Sequence, residues 1–293
     1  MGSGGTNCKI GLIGPKLDLT YDYHHLSDSL DYLNKLSNNE TDFNKILKSA
    51  KNPLIILGTS AINNDHGKKI LETAGLIAKN IKKNKNINPL NILNQVIYRV
   101  GALDLKFYNK KFDNDYNKQL KKHIDKTKPV VFLMGLDEIN FSTFENAFIV
   151  YLGHHGDVSA SIADIILPTP AYTEKSSTYM NIEGRVIQTT KCHNPLGEAK
   201  EEWKIFRVLS DLFEKDLNFN NLGELRNDLT SNYVQFALLN EVNSIGEITF
   251  AKKNKIENIK INYNIENFYM NDSISRSSET MARCTKDILN KAA

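Results

Sequence analysis

Short apolar runs that close on a glycine recur along this chain. They are Lys9–Ile13 before Gly14, Pro53–Leu57 before Gly58, Pro129–Met134 before Gly135 and Phe148–Leu152 before Gly153. Each is long enough for a buried strand and too short for a helix. Helical spacing appears between them: Phe43–Ala50 with Ile46 and Leu47 inward, then Ile70, Ala74, Ile77, Ala78 and Ile81 on one face. Leu93, Val96, Ile97 and Val100 suggest a further helix, and the polar, aromatic stretch Asp18–Leu26 reads as a loop. Apolar strands alternating with helices predict an α/β fold: a mostly parallel sheet covered by helices, joined by right-handed crossovers.

The chain divides on composition. Residues 1–6 read as a flexible leader, 7–215 as the α/β domain, and 216–293 as an irregular C-terminal extension. Glu201–Lys215 is expected to be a firmly packed helix, with Trp203, Phe206, Val208, Leu209, Leu212 and Phe213 as its apolar stripe and Glu198, Glu201 and Glu202 at its positive end. Weak helices are expected within Leu222–Leu239. Alternation at Ile259, Ile261 and Tyr263 precedes a tail that ends in a short helix capped near Ser277 or Ser278.

Of 293 residues, 41% are hydrophobic, enough for a real core, and the net charge of +3 is too balanced for a nucleic-acid surface. No apolar run reaches membrane-spanning length. Cys8, Cys192 and Cys284 are scattered, and three thiolates cannot complete an all-cysteine cluster. Gly2 and Thr6 fit a loose myristoylation pattern, for which a flexible leader is the simpler account. Gly58, Gly135 and Gly153 belong to no G-x-G-x-x-G or Walker pattern and read as turns.

The densest chemistry lies in Phe148–Gln188, where two apolar runs flank a glycine-rich bend, as at the carboxyl edge of an α/β sheet. His154, His155 and Asp157 suggest a zinc or non-haem iron site. Adjacent histidines on an extended strand face opposite ways, however, so a turn fixed by hydrogen bonds with Asp157 as a cap is preferred. Cys192 beside His193 reads as a surface turn. Tyr172, Glu174, Lys175, Tyr179, Glu183 and Arg185 form a polar cluster in which Glu174–Lys175 and Glu183–Arg185 are expected to be structural ion pairs or interface contacts. Ser176 or Ser177 with His154 would make a hydrolase pair, but no nucleophile elbow supports it.

Four segments stand in order here: Gly-His-His-Gly-Asp-Val, Ile-Ala-Asp-Ile-Ile-Leu-Pro, Ala-Tyr-Thr-Glu-Lys-Ser and Asn-Ile-Glu-Gly-Arg. Together they resemble the molybdopterin-oxidoreductase-like part of the large iron–sulfur subunit of respiratory complex I (NADH:ubiquinone oxidoreductase). The segment Ile13–Tyr21, the strand Pro53–Ser60 and the tail from Asn267 extend the resemblance, of mitochondrial type, over nearly the whole chain. The resemblance implies a structural part of the peripheral arm on the matrix side of the mitochondrial inner membrane, with no span of its own. It implies no catalytic, cofactor-binding or metal residues here; the iron–sulfur clusters are expected on a partner chain carrying the N-terminal half of the same subunit. Other peripheral-arm subunits are the remaining expected partners. The chain is expected to need that partner, through an obligate apolar interface, to complete its fold. The competing expectation is the cofactor-binding half of a molybdopterin-dependent oxidoreductase.

Visible absorption and metal analysis of the purified chain are expected to show neither iron with sulfide nor molybdenum. Stoichiometric iron and sulfide would overturn the assignment of the clusters to a partner.

Overall fold

The computed structural model describes residues 8–84, 88–94, 96–107, 116–136, 140–156, 158–242, 255–261 and 267–289. Asp157 and Tyr263 lie outside them. The α/β architecture expected from the sequence is present. The chain forms two compact units, one of residues 1–100, 180–185 and 242–264, the other of 101–179, 186–241 and 265–293.

In the first unit, β1 (Gly11–Ile13) pairs in parallel with β2 (His24–Ser27). The second strand corrects the loop reading of Asp18–Leu26. Its polar sequence hides it, yet its backbone is paired, with His24 N–H donating to Ile10 O and Gly14 N–H to Ser27 O. A half-exposed strand needs backbone partners more than apolar side chains. The aromatic character ahead of it has a use: the Tyr23 hydroxyl donates to Leu17 O and accepts from Leu17 N–H, closing the loop.

Helices α1 (Tyr32–Ser37) and α2 (Phe43–Ser49) follow, then β3 (Ile55–Gly58), α3 (Thr59–Ile62), α4 (Gly67–Ile81) and β4 (Leu90–Leu93). The predicted face of α4 is the core: Ile70, Ala74, Ile77 and Ala78 are buried against Leu33, Leu36, Leu57 and Leu90, and Ile81 is buried as well. From the far end of the sequence, Ile256 is buried in this same core, with Ile259 and Ile261 packed on it. Asn34 holds that segment by a reciprocal pair of bonds, donating to Ile256 O and accepting from Ile256 N–H. β4 corrects the helix expected to begin at Leu93. It lies parallel to β3, Ile55 opposite Leu90 and Leu57 opposite Ile92, and the helix α5 (Arg99–Asp104) starts only afterwards. The backbone of β3 must find a partner, and that long-range demand overrides the local period. Ile56, on the other face of β3, and Leu54 just before the strand are exposed.

The second unit holds α6 (Tyr116–Thr127), β5 (Val130–Met134), β6 (Phe148–Gly153), α7 (Val158–Ser161) and β7 (Ile165–Pro168). The three strands are parallel and stand in chain order. Ile149 through Gly153 are buried on both faces of β6, the pattern of a central strand. A two-stranded ribbon, β8 (Thr178–Met180) and β9 (Val186–Gln188), precedes α8 (Glu202–Leu212) and α9 (Leu222–Asn232). The last α-helices are α10 (Ser273–Arg276) and α11 (Glu279–Cys284), the latter capped as expected by Ser278, whose hydroxyl accepts from Met281 N–H. The stripe of α8 is covered only in part. Phe206 meets Phe132 and Trp203 meets Phe219, at ring-centroid distances of 5.6 and 6.3 Å respectively. Val208, Leu212 and Phe213 are 61, 74 and 68% exposed, so this helix does not pack as firmly as its sequence suggests.

Two isoleucines of the first unit separate burial from composition. Ile70 is fully buried and Ile56 is 62% exposed. Ile70→Ala is expected to cost about 2–5 kcal/mol in denaturant unfolding, and Ile56→Ala about 0.5 kcal/mol or less. Equal losses would show that the exposed face of β3 is covered in solution.

Candidate functional site

The four segments singled out from the sequence each do a local structural job. The first closes β6. Tyr151 is buried, and its hydroxyl donates to His155 O at 3.1 Å, so its side chain passes across Gly153. A Cβ on Gly153 would stand 2.1 Å from the Tyr151 oxygen. The glycine therefore serves close approach rather than a special backbone angle.

That bend turns His154 and His155 toward each other. Their Nδ1 atoms lie 2.6 Å apart and the rings meet edge to face; the chain bends here, so the alternation of an extended strand does not apply. In such a contact one ring nitrogen donates and the other accepts. Two nitrogens that bond one another are not both available to a metal, and no group of three potential ligands exists among the described residues. Burial, His155 and then Lys175 push the His154 pKa below the ordinary 6.5, against the opposing pull of Glu202 and Glu174.

In the second segment the working residue is Asp164, whose role the sequence alone did not identify. Its carboxylate accepts from Ile149 N–H at 2.7 Å and its own N–H donates to Ile149 O at 2.9 Å. These two hydrogen bonds clamp β6 to the start of β7. An acid directly before a strand that must pair with a buried neighbour was the available signal.

The third segment is a closed loop. Glu174 is buried; it accepts from Ala171 N–H at 2.9 Å and donates its N–H to Ala171 O at 3.0 Å. The expected Glu174–Lys175 pair does not form. Lys175 reaches Glu202 at the start of α8 instead, at 2.5 Å, with both side chains only about one-fifth exposed (21 and 22%). Glu174 is already engaged by the backbone of its own loop. His193 Nδ1 lies 3.9 Å from its carboxylate. Ser176 Oγ accepts from Lys191 N–H, and Ser177 N–H donates to Thr189 Oγ1. Tyr172 projects into solvent, and Cys192 is exposed, its N–H held by Thr173 O. Beside Glu202, burial would raise the Glu201 carboxyl, but hydrogen bonds from Lys204 and Trp203 outweigh it and hold it low.

The fourth segment is a turn. The side-chain oxygen of Asn181 accepts from both Glu183 N–H and Arg185 N–H, and Gly184 takes a positive φ of 80°. The expected Glu183–Arg185 pair is present at 3.5 Å on the surface, where such pairs contribute about 0–1 kcal/mol.

Apart from these segments, the first unit carries a cleft of about 290 Å³ beyond the carboxyl end of β3, lined by Ser60, Asn63, Asn64, Asp65, His66 and the stretch Ile259–Ile261. No helix of the described residues is long and apolar enough to cross a membrane.

The Lys175–Glu202 pair should be cooperative. Lys175→Met alone is expected to cost about 1–3 kcal/mol because it strands a partly buried carboxylate. With Glu202→Gln it should show a coupling of about 0.5–3 kcal/mol in a double-mutant cycle; strictly additive losses would refute the pair. Because the native His154 pKa is depressed, the unfolded chain takes up its proton first as pH falls. Stability should therefore decline as pH drops below about 6.5, and His154→Asn should flatten that slope. Identical thermal-unfolding profiles for the two proteins from about pH 7 to about pH 5.5 would exclude this.

Comparison with known proteins places these segments. The family model described as molybdopterin oxidoreductase matches residues 4–212, and the one for the C-terminal part of the NADH-ubiquinone oxidoreductase G subunit matches residues 240–284. The chain is 36% identical to the NADH-ubiquinone oxidoreductase 75 kDa subunit of Reclinomonas americana, over 95% of its own length and 40% of that protein. It is also 36% identical to the mitochondrial NADH-ubiquinone oxidoreductase 78 kDa subunit of Neurospora crassa, over 96% and 38% of the respective lengths. The figures for the NADH-quinone oxidoreductase G subunit of Rickettsia bellii are 36%, 95% and 39%. The chain thus spans about two fifths of the length of the curated relatives it matches.

Proposed function

From the premise that the chain belongs to the molybdopterin oxidoreductase family and carries the C-terminal segment typical of the NADH-ubiquinone oxidoreductase G subunit, we propose that it is a structural and assembly part of the large subunit of NADH:ubiquinone oxidoreductase. In this reading it supports electron transfer from NADH to quinone and binds no cluster itself. One observation carries the reading: the four segments most typical of the resemblance are spent on architecture. Tyr151 and Gly153 build the bend, Asp164 clamps two strands, Glu174 closes a loop, and Asn181 builds a turn.

The proposed partners are the cluster-bearing part of such a large subunit and other subunits of the peripheral arm. Support comes from uncovered apolar surface in the second unit. Val130, Phe132 and Met134 share the exposed face of β5, and Val208, Leu212 and Phe213 are open on α8. Apolar area of this kind is what obligate interfaces bury. The proposed location is the matrix side of the mitochondrial inner membrane, peripheral and held by other subunits. The names of the Neurospora crassa and Candida albicans relatives include the word mitochondrial.

The second reading, the cofactor-binding half of a molybdopterin-dependent oxidoreductase, draws on the family description over residues 4–212. Molybdenum or tungsten in the native assembly would decide for it. For the structural reading, Leu212→Glu with Phe213→Glu is expected to remove the chain from the assembled complex on native gels. The substitutions lie on exposed positions and should leave its own unfolding transition within about 1 kcal/mol. Normal assembly of that variant would reject α8 as the contact. A fully assembled complex that has lost only NADH oxidation would reject the structural role.

A further inference from the structure

We draw no further inference here: the strongest candidate, the polar cleft beyond the carboxyl end of β3 lined by Ser60, Asn63, Asn64, Asp65, His66 and Ile259–Ile261, rests on the amino terminus of α4 with no buried, unpartnered polar side chain aimed into it, and nothing in the structure shows what covers it.

Discussion

A strand buried on both faces is tolerable only when its backbone is hydrogen-bonded along both edges, because an unpaired buried N–H or C=O costs about 1–3 kcal/mol. Phe148–Gly153 meets that condition, with Val130–Met134 on one side and Ile165–Pro168 on the other. Much of the second unit's local detail serves it. Asp164 satisfies Ile149 where the ladder on β7 begins. Beyond the ladder's far end, Gly135 N–H donates to Leu152 O and Thr169 N–H to Gly153 O. The bend that follows is then shaped by what must clear the strand: Tyr151 crosses Gly153 to reach His155 O, and His154 and His155 are turned onto each other.

The same economy explains the electrostatics. Lys175 and Glu202 are largely out of water, and each is tolerable there because the other is present. Their pairing joins the loop after β7 to the first turn of α8, where a carboxylate also suits the helix dipole. Glu201, beside it, is held ionised by Lys204 and Trp203. These charges are satisfied by neighbouring elements of the same unit.

The covered and uncovered surfaces also differ in kind. The first unit closes its core with a segment from far along the chain, Ile256, Ile259 and Ile261, held by Asn34. In the second unit, the outer stripe of α8 and one face of β5 remain open, although Phe206 and Phe132 meet between them. An amphipathic helix half covered by its own chain is a natural place for another polypeptide to dock.

The sequence by itself determined the elements whose signal is local. The apolar runs ending at Gly58, Gly135 and Gly153 are strands, the face of Ile70, Ala74, Ile77 and Ala78 is core, and Ser278 caps the last α-helix. A strand buried on both faces and a helix with one apolar stripe write their environment into consecutive residues. The tertiary structure decided what depends on a partner distant in sequence. β2 and β4 exist because β1 and β3 need backbone neighbours, whatever the polarity or helical spacing of those stretches. Lys175 chose Glu202 over the adjacent Glu174 because the loop's own amide had already engaged Glu174. Asp164 became a clamp because folding set it against Ile149. Residue type states what a side chain can bond, and only the fold determines which bonds are within reach.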